Sequence, residues 1–433
     1  SYWAQHGMEA AQALTALGAL CEASGHAPPP TGARHFVLKT AAFDLKYERH
    51  GEFISWQVSA GLEMPARWDD SAGLERALLR SRATDGLPEV FVRAISGTPM
   101  LAATHVVVVR GLETEWLDAC HDSLQADMAV RASAHAVGAA SNEFDALHEL
   151  GDAAALLASR VSDGQAAVMT DLRLGSDGFT RFVLVDQGLT PDRLARDVQR
   201  LCEIEAYRML AMLGFPVARA EAASLNAIEA QLQTIVDDMA GARTLGDAAA
   251  FDSLLKLAAG IEHGAARTRY RLSATRAYQR IVLQRLSDLR EERLLGLQKL
   301  AGFFNRRFAP AMALCESTDA RITDIADRIN RAVDLARVRV EARREANNQE
   351  LFRSLAHRQK LQLRLQQTVE GLSVVAISYY ALSLVAYGFK ALDGLQLPGG
   401  ISLEHEVMTG LSALPVLALV YYMVHRVRQS LDH

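Results

Sequence analysis

Glu48, His50 and Glu52 have the best metal-like spacing in the polar part of the chain. Alternate residues of an extended strand point to one side, so carboxylate, imidazole and carboxylate can converge there on one divalent cation. The same residues also read as a charged hairpin tip that pairs with Arg49 or with a neighbouring subunit. Asp171, Asp177 and Arg181 flank a second turn, Gly175 to Gly178, and read as the residues that fix it. Glu370 precedes a long apolar run, where an acid is costly unless it is paired or hydrated. It could form a ring at a pore mouth in an oligomer, or pair with Arg364 or a residue of the second run. Beyond it, Ser373, Ile377, Tyr380, Leu384 and Tyr387 share one helical face that could line a pore or pack on a neighbour. Glu404 and Glu406, beside His405, could gather cations at an outer mouth, or serve as solvated loop charges. No GxSxG, GxxxxGK[ST], HExxH or dinucleotide-binding glycine pattern occurs, so no catalytic residue is assigned and the chain is not read as an enzyme.

These residues need two apolar helices to position them. Gly371 to Phe389 and Val407 to Val424 carry no charged side chain. Each run is long enough to cross most of a hydrocarbon layer about 30 Å thick. Arg358, Lys360 and Arg364 precede the first run, and Arg426 and Arg428 follow the second. The loop between carries Lys390 against Asp393, Glu404 and Glu406. Basic residues stay on the cytoplasmic side of short flanks, so both termini are expected in the cytoplasm, as in a protein of a bacterial inner membrane.

The rest of the 433 residues suffices for two or three domains. A net charge of −5 gives no general attraction to nucleic acid. Cys21, Cys120, Cys202 and Cys315 are scattered, as expected of free thiols in a reducing compartment. Ser1 to Gly25 reads as an amphipathic helix, and Ser rather than Met at position 1 points to a processed or missing N-terminus. From His35 to Ser59 apolar residues alternate. Phe43, Leu45 and Tyr47 form one strand face, and Ile54, Trp56 and Val58 the next, with Gly51 expected at positive φ in the turn. Thr104 to Arg110 reads as a central strand, and Ala166 to Gln187 as a hairpin. Thr190-Pro191 is a helix start with a capping hydroxyl. From Val217 to Leu365 the composition is that of long helices, with a seam at Ile322, Ile325, Ile329, Ala332, Ala336 and Val340. No strong breaker separates Ala342 from Phe389, so one helix is expected to run into the first span.

Four stretches resemble the DUF3422 family, a bacterial family of unknown function whose members are predicted to be membrane-anchored. They are Lys46 to Phe53, Thr170 to Arg173 with Asp177 to Arg181, Gln199 to Leu210, and Gln366 to Tyr380. Members usually carry a further N-terminal segment rich in His, Ala, Arg and Pro, which is not found here. The resemblance implies no activity. The layout is also similar to the CorA-type magnesium channel superfamily, whose first spans surround a pore in a pentamer and end in Gly-Met-Asn. Here Tyr387-Gly388-Phe389-Lys390 stands at that place, and a ring of Lys390 would repel cations.

The expected fold is therefore an α+β cytoplasmic domain (1–188) and a long α-helical coiled stalk (189–370). A CorA-like C-terminal two-helix transmembrane hairpin follows (371–389 and 407–425), with a periplasmic loop (390–406) and a cytoplasmic tail (426–433). The expected function is a homo-oligomer, a pentamer on the CorA-like layout, that passes or senses ions. The alternative is a membrane-anchored scaffold that binds proteins. Expected partners are the lipid bilayer and further copies of the chain, with no nucleic acid, and the one cofactor considered is a divalent cation.

Overall fold

In the computed structural model all residues are described except 64–66, 68, 81–85, 97–99, 111–113, 136–155, 176–177, 242–245, 295, 393–404 and 432–433. The strands are β1 (Tyr2–His6), β2 (His35–Lys39), β3 (Phe43–Arg49), β4 (Phe53–Ala60), β5 (Met100–Arg110), β6 (Leu157–Val161), β7 (Ala166–Thr170), β8 (Thr180–Asp186) and β9 (Glu292–Arg293). They form one sheet in the order β2-β3-β4-β1-β5-β8-β7-β6-β9. β5 and β8 run parallel, and the other neighbouring pairs are antiparallel. The apolar run of β5 is thus central, as its composition predicts.

The opening residues differ from expectation. Tyr2–His6 is a strand, and the helix α1 begins only at Ala10 and ends at Ala23. β1 is held on both sides, by β4 and β5, and Tyr2, Trp3, Ala4 and Gln5 are all buried. Pairing with two distant strands therefore overrides a local helical pattern. Gln5 accepts a hydrogen bond from Trp56 Nε1 at 2.8 Å and donates one to the carbonyl of Ile95, which satisfies its buried amide. The β3–β4 turn also departs from expectation, because Gly51 does not have a positive φ.

Helices cover both faces. On one, α1 and α3 (Glu89–Ser96) bury Leu17, Leu20, Phe91 and Ile95 against Leu45, Tyr47, Trp56 and Val58. On the same face α4 (Thr114–His135) buries Leu117 and Leu124 against Val107, Val109, Met169 and Val183. The other face is covered by α5 (Pro191–Met212), which packs on β5, β1 and β8 and is backed by α7 (Asp247–Asp288). A short helix, α2 (Ser71–Glu75), precedes α3, and α6 (Gly214–Gly241) lies between α5 and α7 in sequence. Pro191 opens α5 as expected, but the Thr190 hydroxyl makes no capping bond. Its carbonyl instead accepts from Arg193 N and Leu194 N at 3.0 and 2.9 Å.

The helix α8 (Leu300–Leu392) is unbroken through Pro310 and into the apolar run. Ile322, Ile325, Ile329 and Ala332 are buried, so the expected seam faces inward. Glu229 of α6 accepts from both Arg321 and Arg328, and Arg276 of α7 pairs with Asp319. The last helix is α9 (His405–Leu431). The chain divides into two compact units, Ser1–Asp334 and Leu335–His433. The stretch expected to be a stalk therefore splits, because α5, α6, α7 and the start of α8 share a unit with the sheet. The two-residue β9 also lies in the stretch read as wholly helical.

Gly214 starts α6 against Thr275 of α7, whose hydroxyl bonds the carbonyl of Ala211 at 3.2 Å. A Cβ at position 214 would overlap the Thr275 side chain. Gly214→Ala should therefore lower stability by about 1–3 kcal/mol in urea unfolding of the solubilised chain. Adding Thr275→Ala, which removes the crowding hydroxyl and methyl, should restore part of that loss.

Candidate functional site

The β3–β4 turn separates the three residues read as a metal set. Glu48 pairs with Lys46 at 3.0 Å on its own strand. His50 bonds Ser55 Oγ at 3.0 Å and stacks on Phe53, with ring centroids 4.1 Å apart. Burial holds the His50 imidazole below its usual value, against the opposite pull of Glu48 and Glu203. Glu52 turns to α7 and pairs with Arg271 at 3.0 Å. Burial pushes the Glu52 carboxyl up, but the Tyr270 hydroxyl, Arg271 and Tyr278 together outweigh it and leave it below its usual value. The three groups thus take three different partners. Among the described residues no three His, Cys, Asp or Glu side chains are placed to hold a metal ion. The structure therefore corrects the metal reading of Glu48, His50 and Glu52, which instead dock the hairpin.

The 199–210 stretch of the family resemblance supplies the hub between sheet and helices. Glu205 and Arg208 are buried together, with Arg208 Nε donating to Glu205 Oε2 at 2.8 Å. Thr180 of β8 donates to Glu205 Oε1 at 3.1 Å, which ties the pair to the sheet. Tyr207 stacks on Tyr278 of α7 and meets Phe53 edge-on. Glu203 accepts from Arg285 of α7. Sequence inspection missed the buried ion pair, although Glu and Arg three apart on a helix was a legible signal. In the β7–β8 turn Asp171 accepts from Arg173 N at 3.1 Å, as a residue that fixes the turn would. Asp177 lies outside the described residues. All four cysteines are free and buried, and burial pushes the Cys120 and Cys202 thiols up to about 12 and Cys315 to about 11.

In the second unit Glu370 does not stand alone. It lines a cleft of about 250 Å³ with Gln367, Gly371 and Val374 of α8 and Tyr421, Val424 and His425 of α9. The Tyr421 and His425 rings are parallel within 2°, with centroids 6.0 Å apart. Ser378 and Val420 are buried, although both lie in apolar runs. By contrast, Ser373, Ile377, Tyr380, Leu384 and Tyr387 are all exposed. Gly388, Phe389 and Lys390 lie within α8, which continues to Leu392. Glu406 falls in the first turn of α9, and Glu404 lies outside the described residues. Among those residues α8 alone is long and apolar enough to cross a membrane, and its apolar window is almost wholly exposed.

The exposed face extends beyond the expected stripe. At about 100° per residue, Leu351, Leu355, Leu365 and Val369 share about a third of the helix circumference with Ser373, Ile377, Tyr380, Leu384 and Tyr387. Gln367, Gly371, Val374 and Ser378 lie on the opposite side, toward α9. A family described as "Protein of unknown function (DUF3422)" matches residues 1–431. No curated protein matches the chain.

The Glu52 contacts make a pH prediction. Its folded value is depressed, so the stability it adds is present above the usual 4.5 and lost as pH falls through the folded value. Glu52→Gln should therefore cost about 1–3 kcal/mol at pH 7. In urea unfolding across pH, the deficit should shrink below pH 4.5.

Proposed function

The chain belongs to the DUF3422 family, and on that footing we propose an inner-membrane homo-oligomer in which the α8 helices of several copies surround a common axis. The hairpin of α8 and α9 lies in the bilayer with both termini in the cytoplasm. One observation carries this reading: the exposed apolar face of α8 between Leu351 and Tyr387. Leu351, Leu355, Leu365 and Val369 are 58%, 45%, 66% and 57% exposed, although they precede the charge-free run. Lipid tails do not reach that part of the helix, so protein must cover it. The same face continues into the apolar run, and α9 lies on the other side. A partner that follows this face over about 54 Å must also enter the membrane alongside it. A second copy, in parallel, has that form.

The axis gives the functional reading. Arg358, Gln359, Gln362 and Gln366 interrupt the apolar face, and Lys390 lies at its edge near the far end of α8. Rings of Arg358 and Lys390 would favour anions over cations along the axis. We therefore assign the assembly an anion path or anion-sensing role, and not magnesium conduction of the CorA type. A pentamer is the expected count from the layout alone. A second reading, an anchored scaffold without transport, is favoured by the many Leu, Val and Ile side chains on that face, which would pack as a dry seam.

Burying half-exposed side chains of this kind is worth on the order of 1 kcal/mol each per copy. Native mass spectrometry of the full chain should give one closed oligomer, and Leu365→Asp should shift it to monomers. Lys360→Asp, on the opposite side, should leave the count unchanged. A wild-type monomer would contradict the proposal. Chloride flux in proteoliposomes supports the path, and an intact oligomer without flux leaves the scaffold.

A further inference from the structure

The cleft around Glu370 has a graded chemistry. Glu370, Gln367 and His425 lie toward the basic flanks of the two runs, with the Tyr421 ring stacked on His425. Val374 lines the apolar part, one turn further into the first run than Glu370, and Val424 borders His425. The space beside Gly371 is open, since a Cβ there would meet nothing within 4 Å. In the membrane orientation proposed above, on which this step rests, that places the polar end at headgroup depth and the apolar end at the acyl chains.

We infer that the α8–α9 cleft binds the headgroup of an aminophospholipid, a primary ammonium beside a phosphodiester. The Glu370 carboxylate receives the ammonium, which donates three hydrogen bonds, and the Tyr421 ring face adds cation–π attraction. The Gln367 amide and the His425 imidazole donate to the phosphate. Val374, one turn deeper than Glu370, lies against the start of the acyl chains. A bare divalent cation fits less well, since the cleft offers one carboxylate and no group of three metal-binding side chains. A headgroup with phosphate alone would meet the Glu370 charge without compensation. A trimethylated ammonium lacks the hydrogen-bond donors that a carboxylate recognises.

The test uses the full chain in liposomes of equal parts phosphatidylethanolamine, phosphatidylcholine and phosphatidylglycerol. Flotation is measured first, and then the lipids retained after detergent extraction by native mass spectrometry. The expected result is enrichment of phosphatidylethanolamine over phosphatidylcholine by about tenfold, the size of one charge-assisted hydrogen bond. Glu370→Gln should reduce that enrichment several-fold, and Gly371→Leu, which fills the cleft, should abolish it. Both variants should still float and keep the wild-type subunit count. Equal retention of the three lipids, or unchanged enrichment in Glu370→Gln, would overturn the inference while leaving the membrane reading intact. A wild-type chain that does not float would overturn both.

Discussion

Apolar side chains on one face of α8 have no cover among the described residues of the second unit. Leu351, Leu355, Leu365 and Val369 remain about half exposed or more, and Ile377, Tyr380, Leu384 and Tyr387 continue the same face. Soluble monomers rarely leave so long an apolar strip uncovered. Its polar breaks, Arg358, Gln359, Gln362 and Gln366, would help fix register and oligomer state in a helical bundle, at some loss of stability. The α9 helix accentuates this constraint, because it takes the opposite side of α8.

The first unit has its own central element. α5 lies between the sheet and α7, so its charges must be paired internally. Glu205 bonds Arg208 and Thr180, and Asp197 accepts from Ser162 and Arg200. Taking one partner from a buried pair leaves an uncompensated charge, typically at a cost of about 3–5 kcal/mol. Tyr207 and Glu203 extend the same contacts to Phe53 and Arg285. The conspicuous polar residues of the first unit thus hold layers together, and the candidate ligand chemistry lies in the second unit.

Periodicity made much of this legible. The alternation in Phe43 to Val58, the apolar run of β5 and the unbroken pattern before Phe389 each correspond to an observed element. These patterns follow from local geometry, two residues per strand repeat and 3.6 per helical turn. β1 was not legible, because Tyr2–His6 becomes a strand only through pairing with β4 and β5. The metal spacing at Glu48, His50 and Glu52 misled because it presumed a straight strand through a turn. Glu370 was legible as an acid at a costly place that a residue of the second run could meet, but that His425 and Tyr421 are those beside it was not, since only the return of α9 brings residues so far apart in sequence into one cleft.

The most direct test of the central claim is disulfide trapping in native membranes, with single cysteines introduced one at a time from position 351 to 387. The four natural cysteines are buried and serve as a silent background. Parallel copies packed on the exposed face predict crosslinked dimers that peak at 351, 355, 365, 369, 373, 380 and 387. They also predict minima at 360 and 367, which lie on the opposite side. Crosslinks without that period, or none at any position, would contradict self-assembly through α8.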